Sequence, residues 1–279
     1  MGGVPGRALH QSFLPPHGLA RALVWKFSLE FRGRRPRHFH AEPELNLIVS
    51  GTATFGVGKA VVTASKGDLL GFPPGQDHVL LESSPDLYLY AIGIDPRLSS
   101  EVLRSEAHHV AMPLHIRLST KDFGALATRS SAIVDQDGVD QRGAELWEQV
   151  QWLRQRYVGR LSGATHALTR RALVTVSEAP ELGCELLAQK ARASLCEVSR
   201  YFHRDVGMTL VQYRARLRLL RFIDLVDTGA TNLTSSAKAA GFGSYSQCHR
   251  IFQAELGCSP RQFFHSGLRQ QMQLAYDDI

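Results

Sequence analysis

Two stretches of the C-terminal half repeat one another at an offset of 50 residues: SLCEVSRYFHRDVGMT from Ser194 and SYSQCHRIFQAELGCSP from Ser244. Ser194, Arg200, Phe202 and Gly207 return as Ser244, Arg250, Phe252 and Gly257. Such a repeat demands one supersecondary unit used twice, which restricts the fold more sharply than composition does. In each copy the apolar residues fall at spacings of 3, 4 and 4: Leu195, Val198, Phe202 and Val206, then Tyr245, Cys248, Phe252 and Leu256. That is the inward face of a helix. The serines suit N-caps, and the glycines suit the left-handed position that ends a helix. A short helical segment precedes each copy, CELLAQKA and LTSSAKAAGF. The outer faces then carry Cys196, Ser199, Arg200 and His203 in the first copy and Ser246, Gln247 and Arg250 in the second. A short helix, a tight turn and a second helix with an arginine-bearing outer face make a helix-turn-helix arrangement, the form that docks on double-stranded DNA. The alternative is a generic helical bundle with solvated arginines, which would not require the repeat. Between the copies runs LVQYRARLRLLRFIDLV, apolar on most sides and so expected to be buried between the units. Its arginines Arg214, Arg216, Arg218 and Arg221 are expected to reach outwards to phosphates.

The N-terminal half has another texture. From about residue 22 to 95, short apolar runs alternate with turn signals (LNLIVSG, TATFGVG, LLGFPPG, LYLYAIGI) and no window keeps a helical period. This predicts a small antiparallel barrel or sandwich. Residues 1 to about 20, rich in Gly, Pro and His, are expected to be irregular. After Asp95-Pro96 the chain turns helical: STKDFGALATRSSAIV opens on a capping Ser119, and GAELWEQVQWLRQRYV carries the stripe Leu146, Val150, Leu153 and Tyr157. Two uses of that stripe stay open, pairing with its copy in a homodimer and packing on the barrel of its own chain. GRLSGAT (159–165) reads as a linker. The fold class is α+β: a β-domain over 1–95, a helical dimerisation or linker region over 96–162, and an all-α domain with two helix-turn-helix units over 163–279.

Within the β-domain, RHFHAEPE places His38 and His40 two residues apart, on one face of a strand, with Glu44 close behind. Two imidazoles and a carboxylate on one side suit a transition metal.

Residues 166–268 resemble the DNA-binding domain of the AraC (arabinose regulator) family of bacterial transcription factors, most closely through AAGFGSYSQCHRIFQAELGCSPRQF. Two positions depart from its pattern: Arg192 stands where a glycine is usual in the first turn, and Ser236 replaces an apolar residue in the second unit. The resemblance implies a recognition helix in each of two major grooves, with Arg200 and Arg250 on bases or phosphates. It also implies a homodimer, a small-molecule effector, and contact with RNA polymerase where the protein activates. Residues 25–95 are similar, more loosely, to the cupin-like barrel of many such regulators. The two cupin motifs lie on His38-x-His40-x3-Glu44-x6-Gly51 and Gly67-x5-Pro73-x-Gly75-x2-His78. All four positions that bind metal in cupin enzymes are thereby filled, by His38, His40, Glu44 and His78. Three readings stay open: a divalent metal, an organic effector held without metal, or polar side chains satisfying one another in a core. The habit of such regulators favours the effector pocket.

A formal net charge of +6 agrees with a polyanionic partner without naming one. The cysteines Cys184, Cys196, Cys248 and Cys258 form no C-x-x-C pair, which suits a reducing cytosol, and no run is long enough to span a membrane. No nucleophile motif or phosphate-binding glycine loop is present, so no catalytic residue is assigned. The rival reading is a metal-dependent cupin enzyme, of dioxygenase or isomerase type, with a helical appendage.

Overall fold

A computed structural model of the chain describes residues 9–10, 22–28, 37–94, 114–133, 140–157, 166–230 and 232–265. Ten strands come first: β1 (Leu9–His10), β2 (Ala22–Ser28), β3 (His38–Phe39), β4 (Glu44–Ser50), β5 (Thr52–Val57), β6 (Ala60–Ser65), β7 (Asp68–Phe72), β8 (His78–Ser83), β9 (Tyr88–Ile94) and β10 (Leu114–Arg117). They form two five-stranded sheets, in the orders β1-β3-β8-β5-β6 and β10-β7-β4-β9-β2. All pairings are antiparallel except β1 with β3.

The period of two explains how the second sheet is covered. Along β4, Leu45 and Leu47 point one way while Glu44, Asn46 and Ile48 point the other. Ile48, Leu70, Phe72, Leu89 and Ala91 meet Phe55 and Val57 of the first sheet in the barrel interior. Leu45, Leu47, Leu69, Tyr90 and Ile92 face outwards onto two helices, α1 (Thr120–Ile133) and α2 (Asp140–Tyr157). A sheet buried on both faces reads as continuous apolar runs, which is why LNLIVS and YLYAIGI show little alternation.

The stripe Leu146, Val150, Leu153 and Tyr157 is buried in this same layer, so of its two readings the structure takes packing within its own chain. The Tyr157 hydroxyl donates to buried Asp122 at 2.6 Å. Burial opposes the charge on Asp122, but hydrogen bonds from Tyr157 and Ser119 and the nearby Arg156 hold its carboxyl below the usual range.

Two expectations for this half need correction. The region after Asp95 is not helical throughout: β10 adds an edge strand to β7, with Ile116 and Leu118 buried under the helices. The stretch LHIRL is too short to declare itself without its partner strand. The N-terminus also holds a strand, β1, which docks beside His38 and Phe39. The linker GRLSGAT lies outside the described residues.

From residue 166 the described chain is helical: α3 (Ala167–Glu178), α4 (Cys184–Lys190), α5 (Leu195–Val206), α6 (Leu210–Asp227), α7 (Leu233–Ala239), α8 (Tyr245–Leu256) and α9 (Pro260–His265). The repeated helices α5 and α8 begin and end alike. Ser194 accepts from the Glu197 N–H in a capping box, Ser244 accepts from the Gln247 N–H, and Gly207 and Gly257 close the helices at φ 78° and 81°. Arg192 takes a left-handed φ of 56°, the turn conformation that Gly241 holds in the second unit at φ 93°. Ser236 is buried, and its hydroxyl donates to the Asn232 carbonyl at 2.9 Å, so the polar substitution is satisfied inside its own helix.

Each unit has its own core. The first is closed by α3, whose Ala172, Leu173 and Val176 meet Leu187, Val198, Phe202 and Tyr213. The second gathers Leu219, Phe222 and Ile223 of α6 with Phe242, Cys248, Phe252 and Phe263. Fully burying such a side chain is worth about 1.5–3 kcal/mol. This second core also takes in Phe39 of the barrel. All four cysteines are free, and burial pushes the Cys248 thiol up to about 12, as befits a small core residue. Among the described residues no helix is long and apolar enough to cross a membrane.

Candidate metal centre and nucleic-acid interface

The strand alternation that puts Phe39 outside the barrel puts His38 and His40 inside. His38 pairs in register with His78 of β8, and Glu44 opens β4 across the interior. The ligand atoms of His38, His40, Glu44 and His78 all lie within 4.8 Å of one another, and all four residues are buried. Ligands on an ion with bonds of about 2.1 Å stand about 3.0–4.2 Å apart, so the set is already near the spacing an ion needs.

The hydrogen bonds point the same way. His40 Nδ1 lies 2.7 Å from the Glu42 carbonyl, and His78 Nδ1 lies 3.0 Å from the Gln76 carbonyl. A carbonyl only accepts, so both Nδ1 atoms carry a proton and both Nε2 atoms turn inwards, the orientation a metal-binding imidazole takes. Glu44 Oε2 is 2.9 Å from His40 Nε2 and 3.2 Å from His78 Nε2. Burial opposes the charge on Glu44, but the two histidines outweigh it and hold the carboxyl well below its usual range. Burial likewise lowers the His40 pKa, yet the Glu44 and Glu42 carboxylates raise it overall. Phe72 stacks on His78 at 4.5 Å and Phe55 packs on Phe72 at 5.5 Å, so aromatic rings back the cluster on that side. The structure brings together the four residues that the sequence singled out. The sequence reading missed Asn46, whose amide donates to Glu44 Oε1 at 2.6 Å. Position i+2 from a strand ligand was the available signal.

On the helical side, Cys196, Arg200 and His203 of α5 are exposed, as are Ser246 and Arg250 of α8. Ser199 and Gln247 are half-buried, and the Gln247 carboxamide oxygen is taken up by the Gly243 N–H at 2.9 Å. The interhelical arginines differ from expectation. Arg218 is buried, with its guanidinium donating to the Pro180 and Glu181 carbonyls at 2.6 and 2.8 Å. Arg214 is half-buried and donates to the Leu182 carbonyl at 2.5 Å. Both satisfy the loop between α3 and α4, where carbonyls need donors. Neither is free for phosphate. Arg216 is held by Asp77 and Glu255, each at 2.9 Å. Only Arg221 of that set is exposed, beside Glu181 at 3.7 Å. The sequence also passed over exposed Arg204 and Arg261, and took exposed Arg192 only as a turn residue.

A helix-turn-helix domain family matches residues 187–266, spanning both units, and a cupin domain family matches residues 25–86. The HTH-type transcriptional activator RhaS of Salmonella schwarzengrund is 23% identical over 241 residues, covering 81% of this chain and 86% of its own. The chain thus joins a cupin domain to a helix-turn-helix domain and is similar to a transcriptional activator along most of its length. Among solved structures, ToxT of Vibrio cholerae bound to an unsaturated fatty acid superposes with a TM-score of 0.49 at 12% identity, over 87% of this chain and 93% of its own. Oxalate decarboxylase of Bacillus subtilis superposes with a TM-score of 0.22 at 14% identity, over 41% of this chain and 36% of its own. With a cupin barrel ahead of two helix-turn-helix units, this protein is a DNA-binding regulator.

Proposed function

We propose that the two units read promoter DNA through α5 and α8, and that the barrel is the sensor, with His38, His40, Glu44 and His78 holding a divalent metal. The observation that carries the DNA reading is the matched exposure of Arg200 and Arg250 at the same position of two helices that both open on a serine cap and close on a left-handed glycine. The donor set supports the metal over an organic effector: two inward Nε2 atoms, a charged carboxylate between them and a third histidine are the ligands a transition metal takes. Such a metal would supply a fixed positive charge that replaces the hydrogen bonds from Glu44 to His40 and His78. Direct phosphate contacts fall to exposed Arg192, Arg204, Arg221 and Arg261 rather than to Arg214 or Arg218. As a member of its class the protein would work in the cytoplasm on duplex DNA as a homodimer, touching RNA polymerase where it activates.

We assign no reaction. The complete four-ligand set favours a second reading, a cupin metalloenzyme, but an enzyme has no use for two matched arginine-bearing helices.

The test uses the whole chain, because Phe39 completes the second helical core and a fragment from residue 160 would lose it. The protein should bind the promoter region beside its own gene, with affinity falling steeply as salt rises. Protein purified without a histidine tag should carry stoichiometric metal by elemental analysis, and His38→Ala/His40→Ala should carry none. Salt-insensitive binding defeats the DNA reading; metal absent from the wild type defeats the metal reading.

A further inference from the structure

The residues that build the candidate metal centre alternate with residues that grip the DNA-binding half. His38 and His40 point into the barrel, and Phe39 between them points out into the core of the second helix-turn-helix unit. His78 points in, and Asp77 beside it points out to Arg216 of α6 at 2.9 Å. The Arg216 guanidinium lies over the Phe39 ring at 4.4 Å and also donates to the Gly75 carbonyl at 3.0 Å. Gly75 in turn donates its N–H to the His40 carbonyl at 2.8 Å. The other side of Arg216 donates through Nε and NH2 to Glu255, at 3.1 and 2.9 Å. Glu255 stands on the recognition helix α8, one residue before Leu256 of the unit's core.

We infer that Arg216 is the coupling residue of the regulator, transmitting the state of the barrel site through Phe39 and Asp77 to Glu255 and so to the setting of α8. The inference rests on the sensor reading above and names how that site is read out. Rearrangement of the four side chains around an ion, in place of the hydrogen bonds from Glu44 to His40 and His78, would carry the backbone of β3 and of the loop before β8. Phe39 and Asp77 ride on that same backbone. Packed interfaces respond to small shifts by changing arrangement rather than by deforming smoothly, so a displacement of tenths of an ångström at Phe39 suffices to bias α8. For coupling, the two arrangements must differ in their affinity for the occupant.

The full-length protein is titrated with cobalt(II), whose visible absorption reports binding, while amide exchange is followed in α8. A second arm perturbs the pocket without metal, through His38→Ala/His40→Ala. Both arms are run in the wild type, in Arg216→Gln and in Asp77→Asn. We expect each perturbation to change α8 protection in the wild type by about fivefold or more, the low end of coupling between linked sites. In Arg216→Gln the change should vanish while cobalt absorption persists. Asp77→Asn, which keeps the shape and removes the charge, carries the same expectation should Arg216→Gln fail to fold. A wild-type α8 that answers neither arm overturns the inference, and so does an undiminished response in both variants; either result leaves the metal centre standing. Absence of cobalt absorption in the wild type removes the metal centre instead, and the alanine arm then judges the coupling by itself.

Discussion

The first helix-turn-helix unit closes its core against α3, a helix of its own domain; the second closes its core against Phe39, a residue of the barrel. The recognition helices themselves have one length, one kind of N-cap and one left-handed glycine at the end. The units therefore differ in what finishes them rather than in how they are built. The barrel does touch the first unit, where the turn at Gly58 and Lys59 abuts Gly207, and a Cβ on Gly207 would come within 2.9 Å of the Lys59 nitrogen. That contact is backbone against backbone at a helix end. Contact with the second unit runs through an aromatic ring in its core and an ionic chain on its flank. On the coupling inferred above, the first copy would be a fixed reader and the second a reader the sensor can address.

The largest test of the comparison lies in the two cores. Phe202 and Phe252 are both fully buried, and Phe202→Ala and Phe252→Ala should each lose about 3–5 kcal/mol in denaturant melts. Cores of equal quality predict equal losses. A Phe252→Ala loss well below that of Phe202→Ala would mean that the barrel does not complete the second core.

Next in size come the reading arginines. Arg200→Ala and Arg250→Ala should each weaken binding to the protein's own promoter by about 1–3 kcal/mol if they contact bases, and each should relax preference at a different base position. Fluorescence anisotropy on single-base variants of the site reads this. If the two substitutions relax the same position, the units do not read separate half-sites.

Smaller effects are expected in the turns. Arg192 sits in a left-handed conformation that costs a non-glycine residue about 1 kcal/mol, and Arg192→Gly should recover part of it after the entropy of glycine is subtracted. Gly241→Arg should lose more than that reverse gain, since a Cβ there would lie 2.9 Å from the Glu181 Cβ. Thermal melts of the two variants with opposite signs would bear out the turn geometry; matching signs would refute it.

The smallest expected effect is the pH response of the metal-free barrel. His40 is raised above its usual 6.5, so its contribution is fully present below 6.5 and is lost as pH rises through the raised value. Glu44 is depressed below 4.5, so its contribution is present above 4.5 and is lost as pH falls through the depressed value. Metal-free protein should therefore melt higher at pH 6 than at pH 8, and His40→Gln should flatten the difference. Stabilisation by added metal should run the other way, because a cation competes with the His40 proton.

Much of this was legible in the sequence because local rules carried it. The repeat, the capping serines and the His-x-His spacing are periodicities, and a periodicity survives without knowledge of neighbours. Arg218 and Arg214 were misjudged because their fate depends on carbonyls of Pro180, Glu181 and Leu182, over thirty residues away in sequence and visible only once α6 packs beside that loop. The strand β10 escaped for the same reason, since an edge strand is defined by the strand it joins. Phe39 was hidden in plain view. Its alternation with His38 and His40 said that it pointed out of the barrel, and only the fold says what it points into.

That ring also limits how such regulators can be recombined. A chimaera that joins this barrel to a foreign DNA-binding half would present Phe39 to a surface not shaped for it. A foreign barrel on this half would leave a vacancy in the second core where Phe39 sits. The two halves are thereby tied physically: a change in the size of the side chain at Phe39 would have to be answered by residues of the second core.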